Sequence, residues 1–278
     1  MYQFVTIIER KLLAKIQRRK GPRRFILQAI IDGIKVITKE RIYRENILFY
    51  ISLFINLFLI ILLFEFLPIS TLYKEINYKL EILVYILISS FNFYTIIYSS
   101  LFSNNKFSLQ ALIRGINQLV SYEINISVIL LSFIILTNSY NYIDILLDQI
   151  DSFNFFFFPF FLILFISLLA ESNRIPFDLL EGESELVAGR LTEYSSLEFS
   201  LIYLSEYYIL LFNSSFLLLF FFSSSYLSLS FLLLLFFLLL SRALLPRYTY
   251  NLIIYINWFI LIPLSFSFLF FYSIFLFN

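Results

Sequence analysis

Long apolar runs alternate with short polar segments along most of this 278-residue chain. A helix needs about 20 apolar residues to cross a bilayer, and strands of a membrane barrel would instead alternate with a period of two. The pattern therefore predicts an all-α polytopic membrane bundle, a single membrane domain over residues 1–278 with about seven transmembrane helices. The predicted spans are Ile47–Leu67, Ile82–Phe102, Val120–Thr137, Phe153–Leu169, Leu197–Phe222, Leu227–Leu245 and Leu252–Phe277.

The first 45 residues form a basic segment that contains a different kind of helix. From Phe25 to Lys39, apolar residues recur every three or four positions, with Asp32 and Lys35 between them. This pattern predicts an amphipathic helix in the membrane interface. A surface helix packed against a partner subunit fits the same pattern, and both readings can hold together. The eight residues before Glu9 can form the end of a further span and are too few for a secretory signal.

Basic residues are distributed very unequally between the two sides of the predicted bundle. Residues 1–45 carry twelve Lys or Arg and four acids. If this segment lies on one side of the membrane, called side A, then successive spans place 18 of the 20 basic residues on side A. Only Lys74 and Lys79 fall on the opposite side, side B. The positive-inside rule then makes side A the interior, which is the matrix in a mitochondrion.

Cysteine and histidine are both absent from the chain. This excludes a Cys-ligated iron–sulfur cluster, a His-ligated haem, the usual zinc sites and any disulfide. We therefore expect no metal and no covalently bound cofactor, and any proton chemistry must use carboxylates, Lys, Tyr or water. The 37 Phe and 20 Tyr indicate a compositional bias rather than an aromatic binding surface, because they lie in spans where any large apolar residue would serve.

An acidic segment on side A, residues 171–196, separates two apolar runs. Between Ala170 and Tyr194 the chain carries six carboxylates and two arginines. Pro176 should break any helix there. If the chain then turns helical, Glu181 and Glu185 share one face, and such close carboxylates titrate as a coupled set. That cluster could take up and release protons, whereas a simple solvated loop is the alternative.

Two further acids lie within apolar helices. A charge at the centre of a membrane helix costs about 2.5–3.5 kcal/mol on insertion scales, so Glu123 and Glu206 must be neutral, paired or in contact with water. We predict a buried polar path rather than lipid exposure for both, with Arg114 and Gln118 helping to hydrate it. Glu65 lies close to Pro68 at the end of a span and is expected to reach the interface.

Several of these segments together resemble a known family. ERKLLAKIQRRKGP, ILQAIIDGIKVITKE, LIRGINQLVSYEINISVILLS, AESNRIPFDLLEGESELVAGRLTEY, LSEY and RALLPRYTY occur in this order. Their order is similar to that in subunit 1 of the proton-pumping NADH:ubiquinone oxidoreductase, respiratory complex I. The resemblance covers nearly the whole chain, and the block AESNRIPFDLLEGESELVAG is its most specific part.

The resemblance implies a membrane subunit that forms part of the ubiquinone chamber of an enzyme, with no redox centre of its own. Ubiquinone would bind as a substrate at the interface with partner subunits. The resemblance places Arg10, Arg174, Phe177 and Asp178 at or near the quinone cavity. It assigns an acidic path, which couples quinone reduction to proton translocation, to Glu123, Glu171, Glu181, Glu183, Glu185, Glu193 and Glu206.

The implied partners are other membrane subunits, soluble iron–sulfur subunits of the quinone module and membrane lipids, with no nucleic acid. The implied location is the mitochondrial inner membrane, crossed several times. The first span of the family, before the ERK motif, is largely absent here, so we expect a separate polypeptide to supply it or the start to be truncated. RRF after Pro22 also replaces a longer glycine-containing turn at the expected quinone entrance.

Two other functions fit a polytopic chain with buried acids. One is a homologous membrane subunit of an energy-converting hydrogenase-like complex, which would bind no quinone. The other is a stand-alone proton-coupled transporter, which would work without soluble partners and would be expected to show an internal repeat. We find no convincing repeat, and the dense charge of both signs on side A instead indicates a docking surface for a soluble arm.

Overall fold

The computed structural model describes residues 2–22, 25–40, 47–68, 79–103, 105–151, 158–180, 182, 189–221 and 227–277. Within these ranges the regular structure is helical and includes no strand, which confirms the predicted all-α class. A 3-10 helix, Gly189–Glu193, precedes α8, and a π-helical turn, Ile256–Leu261, joins α10 to α11. The α-helices are α1 Tyr2–Ile16, α2 Phe25–Thr38, α3 Ile47–Phe66, α4 Glu81–Leu101, α5 Lys106–Thr137, α6 Tyr142–Asp151, α7 Phe158–Glu171, α8 Ser196–Phe221, α9 Leu227–Leu244, α10 Tyr250–Tyr255 and α11 Ile262–Phe277.

Five of the described helical segments are long and apolar enough to cross a membrane: α3, α4, α5, α8 and the continuous run from α10 into α11. The predicted polytopic membrane protein is therefore confirmed. The other two predicted spans correspond to α7 and α9, which are apolar but shorter. Helix α7 is described from Phe158, and Phe153, where the predicted span begins, lies outside the described residues. The amphipathic segment predicted from Phe25 to Lys39 is helix α2.

Helix α5 is much longer than the predicted span Val120–Thr137. It has 32 residues and begins at Lys106, because hydropathy marks the apolar part of a helix and misses its polar first turns. Those turns bury Ser108, Ala111 and Gly115 against the interior of the protein. Helix α6, a short helix that follows α5, was not predicted either, since its ten residues fall below the length of a span.

The core is built largely from aromatic rings contributed by several helices. Helix α5 packs against α4, α7 and α11, while α3 packs against α4 and α8. Phe216 and Phe220 of α8 are almost fully buried, with ring centroids 4.7 Å apart. Phe133 of α5 lies 4.8 Å from Phe220. These phenylalanines act as packing residues of the core.

The described chain that follows α7, residues 172–180, turns back into the bundle without helical structure, as Pro176 predicts. Residues 172–180, called the interior loop, include a cis peptide bond between Ile175 and Pro176. Gln118 of α5 donates its side-chain amide to the carbonyl oxygens of Ala170 and Phe177, each at 2.8 Å. The backbone nitrogen of Tyr248 donates to Pro176 at 3.0 Å. The interior loop is therefore held by α5 and by the connection between α9 and α10.

Gly189, where the 3-10 helix begins, provides a test of this packing. Its φ is +44°, and an added Cβ atom would lie 2.4 Å from the carbonyl oxygen of Leu180. We expect Gly189→Ala to cost at least about 1–3 kcal/mol, because both the left-handed backbone and the contact with backbone oppose a side chain. The measurement is the thermal unfolding temperature of the purified assembly.

Gly33 of α2 is the matched control for this substitution. No atom lies within 4 Å of the position that its Cβ would occupy. Gly33→Ala should leave stability unchanged or raise it by up to about 1 kcal/mol, since alanine favours a helix interior. Equal unfolding temperatures for the two variants would contradict the described geometry at Gly189.

Candidate functional site

Three carboxylates from three helices meet around one cavity inside the bundle, which we call the carboxylate chamber. Glu123 of α5, Glu171 at the end of α7 and Glu206 of α8 all line it. Arg190 of the 3-10 helix supplies a positive charge to the same lining. Helices α3 and α4 close the chamber with uncharged polar side chains. The further polar lining residues are Asn56, Tyr85, Ser89, Asn92, Ser172, Asn173 and Ser205.

The size and chemistry of the chamber suit water rather than a large organic ring. The space open to the centre of a water-sized sphere is about 50 Å³, enough for roughly four waters at about 10–15 Å³ each. Asn56, Asn92 and Asn173 each have a buried side-chain oxygen that finds no partner among the described residues. The same holds for Nε and Nη2 of Arg190. Buried polar atoms of this kind are normally satisfied by ordered water.

The helices present these groups through simple spacing. Tyr85, Ser89 and Asn92 are four and three residues apart, so they share one face of α4. Tyr85 donates its hydroxyl to Oε2 of Glu171 at 3.4 Å, and Ser89 lies beside the carboxylate of Glu123. A polar stripe on an otherwise apolar span thus meets the acids of α5 and α7.

A second cluster of charged groups, the Glu9 cluster, lies close to the chamber. Oε2 of Glu9 accepts hydrogen bonds from Nη1 of Arg174 at 3.3 Å and from the hydroxyl of Tyr207 at 2.5 Å. Arg242 of α9 donates to the other carboxylate oxygen. The guanidinium group of Arg174 also lies 3.9 Å from the centre of the Tyr207 ring. The cluster joins α1, the interior loop, α8 and α9, and the neighbour of Tyr207 on α8 is Glu206.

Glu9 is held as an anion by its partners. Helix α1, which carries it, is not among the five segments long enough to span the membrane. Burial by itself would raise the pKa of Glu9, but the charges of Arg174 and Arg242 and the hydrogen bond from Tyr207 outweigh that effect. The pKa therefore lies below the ordinary value of 4.5. The stability that these ion pairs contribute is complete at neutral pH and is lost only as pH falls through the lowered pKa.

The structure brings three of the four expected quinone-cavity residues together in the interior loop. Arg174 belongs to the Glu9 cluster, and the buried Asp178 accepts a hydrogen bond from Nη2 of Arg247 at 2.5 Å. The ring of Phe177 is buried, with the rings of Tyr122 and Tyr248 at 5.7 and 5.8 Å.

Arg10, the fourth expected cavity residue, does not belong to this group. Its side chain is exposed, and Nη1 lies 2.6 Å from Oδ2 of Asp32. The pair fastens α1 to the amphipathic helix α2. Any contact of Arg10 with a quinone would therefore occur on the outer surface of the chain, near α2.

The expected acidic path is described only in part. Glu123, Glu171 and Glu206 share the carboxylate chamber, so a solvated loop does not describe Glu171. Glu193 belongs to the 3-10 helix, although its side chain is outside the described part of the structure. The remaining members of the expected path, Glu181, Glu183 and Glu185, lie outside the described residues.

Two residues expected to hydrate the path have other positions. The amide nitrogen of Gln118 donates to two backbone carbonyl oxygens, and the residue does not line the chamber. Arg114, one turn earlier on α5, is half-buried and is not a lining residue either. Glu65 is exposed near the end of α3, as expected. Arg114 and Gln118 therefore do not reach the carboxylate chamber, although they lie on the same helix as Glu123.

The sequence patterns did not single out several residues of the chamber, the Glu9 cluster and the interior loop's ion pair. Arg190 stands in the most specific motif but received no role. Arg242 and Arg247 occur in the motif RALLPRYTY, and their basic side chains beside an acidic loop were the available signal. Asn56 and Asn92 are amides within apolar spans, which is itself an indication of a polar interior face.

The comparisons with known proteins show the family of the chain. The family model described as NADH dehydrogenase matches residues 1–273. The chain belongs to the NADH dehydrogenase family. The resemblance inferred from the motifs is thus confirmed, and the matched region contains the interior loop, the Glu9 cluster and the carboxylate chamber.

Relatives in this family are similar over most of their length. The NADH-ubiquinone oxidoreductase chain 1 of Aedes aegypti is 39% identical over 281 residues, which cover 97% of this chain and 89% of the relative. The protein of the same name from Chondrus crispus is 34% identical, with 97% and 90% covered. That of Strongylocentrotus purpuratus is 41% identical over 73% of this chain and 65% of its own.

Glu9→Gln tests whether the Glu9 cluster holds the bundle together. Removing the anion takes one counter-charge away from two arginines, and breaking a buried ion pair typically costs about 3–5 kcal/mol. We expect a value towards the lower end, because the Arg242 side chain is 35% exposed. The measurement is the thermal unfolding temperature of the assembly at neutral pH. The difference from the parent should shrink in acid, where Glu9 itself becomes neutral.

Arg10→Gln is the neighbouring control. It breaks an ion pair whose side chains are 54% and 34% exposed. Such pairs contribute about 0–1 kcal/mol, so the unfolding temperature should change little. A loss for Arg10→Gln as large as that for Glu9→Gln would show that burial does not distinguish the two sites.

Proposed function

We propose that this chain is the chain 1 subunit of an NADH-ubiquinone oxidoreductase, and that it links quinone reduction to proton translocation. The observation that carries the proposal is the convergence of Glu123, Glu171 and Glu206 on one chamber within a membrane bundle. The names of the relatives support the choice of enzyme. Since the chain has no Cys and no His, electrons would reach the quinone from a partner subunit.

The chamber has the chemistry of a proton-loading site. A single acid inside a membrane helix is costly, and three around one small cavity are costlier still if all are charged. Like charges so close disfavour joint ionisation, so the three acids share protons as a set. A change of charge nearby would then move protons among them. Water in the chamber provides the contacts through which those protons pass.

A change of charge at the quinone would act on the chamber through Arg174 of the interior loop. Arg174 exerts electrostatic attraction on both Glu9 and Glu206. Its Nε and Nη2 atoms are buried and have no acceptor among the described residues, so they are available to a quinone oxygen or a partner group. A negative charge arriving at Arg174 would weaken its hold on Glu206. The chamber would respond by taking up a proton.

The proposal includes a quinone site shared with partner subunits. Ubiquinone would bind as a substrate where the interior loop meets a soluble iron–sulfur subunit on side A. Asp178 and Phe177 would set the shape of the wall behind Arg174, and Arg10 would contribute from the face of α1 and α2. No cofactor held by this chain is needed for that role.

Partners and location follow from the same proposal. Side A carries 18 of the 20 basic residues and the acidic segment, which suits docking of a soluble arm. The apolar outer faces of the spans would contact lipid and other membrane subunits. We propose the mitochondrial inner membrane, with side A in the matrix. Co-purification followed by mass spectrometry would detect the membrane and iron–sulfur partner subunits.

Glu123→Gln is the direct test. Proton-transfer groups typically contribute about 10²–10⁴-fold to a rate, but Glu171 and Glu206 share this site, so we expect a loss on the order of tenfold. The measurement is inhibitor-sensitive NADH:quinone activity, together with proton translocation in vesicles that contain the assembled complex. Assembly should persist, because glutamine keeps the size and polarity of the side chain.

Glu65→Gln is the matched control, since Glu65 is an exposed acid of a different span. It should leave turnover and translocation at the level of the parent. Normal turnover and normal translocation in Glu123→Gln would overturn the role assigned to the chamber. Purified complex without any quinone reductase activity would overturn the assignment of the enzyme.

A further inference from the structure

The polar stripe of α4 does not end at the carboxylate chamber. Glu81, Tyr85, Ser89 and Asn92 follow one another at spacings of four, four and three residues, so they lie on one face of the helix. Ser89 and Asn92 line the chamber, as does Tyr85. Glu81 lies eight residues before Ser89, or about 12 Å along the helix, towards side B. The stripe therefore points from the chamber to the opposite side of the membrane.

Tyr85 stands at the boundary between the chamber and this outer segment. Its side chain is 2% exposed, and its hydroxyl donates to Glu171 at 3.4 Å. The ring is stacked against Phe212 at 5.6 Å and against Phe216 at 4.6 Å. The aromatic stack closes the chamber on this side, with a hydroxyl as the polar group in the closure.

Tyr142 of α6 continues the line beyond Tyr85. Its side chain is 2% exposed, and its ring packs edge-on against Phe216, the same ring that stacks on Tyr85. Tyr142 acts electrostatically on Tyr85, and Glu81 acts on Tyr142. The backbone nitrogen of Tyr142 donates to Oε2 of Glu81 at 3.0 Å. Glu81, at the start of α4, therefore contacts the backbone of Tyr142, and the Tyr142 ring belongs to the same aromatic group as Tyr85.

Glu81 lies just inside the side B surface. Its side chain is 1% exposed, whereas its neighbour Leu80 is 50% exposed. The next backbone nitrogen, that of Ile82, donates to the carbonyl oxygen of Tyr140. The residue Tyr140 is 40% exposed. A small movement of these surface residues would bring water to the Glu81 carboxylate.

We propose that Tyr85, Tyr142 and Glu81 form a proton-release branch from the carboxylate chamber to side B. The branch rests on the proposed function of the chamber and adds an exit to it. Protonated Glu171 gives its proton to the Tyr85 oxygen, while the Tyr85 hydroxyl proton moves on to Tyr142, directly or through water. The Tyr142 hydroxyl proton passes through water to the Glu81 carboxylate, which releases a proton to water on side B. Both tyrosines end neutral, and one proton has crossed.

Packing and capping alone do not account for these three residues. The rings next to Tyr85 and Tyr142 in the core, Phe212, Phe216 and Phe220, are phenylalanines. A buried hydroxyl is costly unless it has a partner, so tyrosine would be disfavoured there as mere filling. A capping role for Glu81 at the start of α6 is compatible with proton release, because one carboxylate oxygen serves the backbone nitrogen.

Tyr142→Phe in the assembled complex is the decisive variant, because it removes one oxygen atom and keeps the ring. The measurement is the number of protons translocated per NADH oxidised by vesicles, with the quinone reduction rate recorded in the presence of an uncoupler. We expect the proton yield to fall and the uncoupled rate to stay at the parent level. Glu81→Gln should act in the same direction.

Tyr94→Phe is the matched control, since Tyr94 of α4 is 51% exposed on the outer surface. Its proton yield should equal that of the parent. A parental proton yield in Tyr142→Phe would overturn the branch, and if Glu81→Gln fails to assemble, Tyr142→Phe decides alone. If Tyr142→Phe has a parental proton yield but Glu123→Gln has lost activity, the branch is wrong and the proposed function of the chamber stands. If Glu123→Gln is also normal, the proposed function itself fails.

Discussion

A segment without helical hydrogen bonds can lie inside a membrane bundle only if other groups satisfy its polar atoms. For the interior loop, Gln118 donates to the carbonyl oxygen of Phe177 and to that of Ala170 just before the loop, and the backbone nitrogen of Tyr248 donates to that of Pro176. Its charged side chains find partners as well, Arg174 in Glu9 and Asp178 in Arg247. The position of Glu171, and with it the chamber, depends on this loop being held.

The two clusters of charge are connected through α8. Glu206 faces the carboxylate chamber, and the next residue, Tyr207, binds Glu9. Buried ion pairs are often no more stabilising than apolar residues of the same size. We therefore expect the ion pairs of Glu9 to matter mainly because they hold Arg174 in position. Here they set the distance between the chamber of acids and Arg174 of the interior loop, whose Nε and Nη2 atoms have no acceptor among the described residues. A change at the loop is therefore transmitted as a change of electric field.

The apolar surroundings strengthen the interactions between the few charged groups inside the bundle. With aromatic rings filling the bundle around Phe216, the dielectric screening is weak and each remaining charge acts strongly on the others. Tyr85 lies between such rings and also touches Glu171. A hydroxyl in this position separates the hydrated chamber from the rest of the core. The aromatic rings of the core thus reduce the screening of the acids by solvent.

The sequence by itself determined the helical membrane class, the spans of α3, α4 and α8, the amphipathic α2 and the family, because these depend on local hydropathy and on motif order. It also singled out Glu123, Glu171 and Glu206 as acids that needed an explanation. Only the tertiary structure decided which groups meet. It separated Arg10 from Arg174 and turned Gln118 into a brace for the interior loop, and it added Arg190 to the chamber. These contacts join residues up to 233 positions apart, as between Glu9 and Arg242, and no local pattern specifies which faces of distant helices pack together.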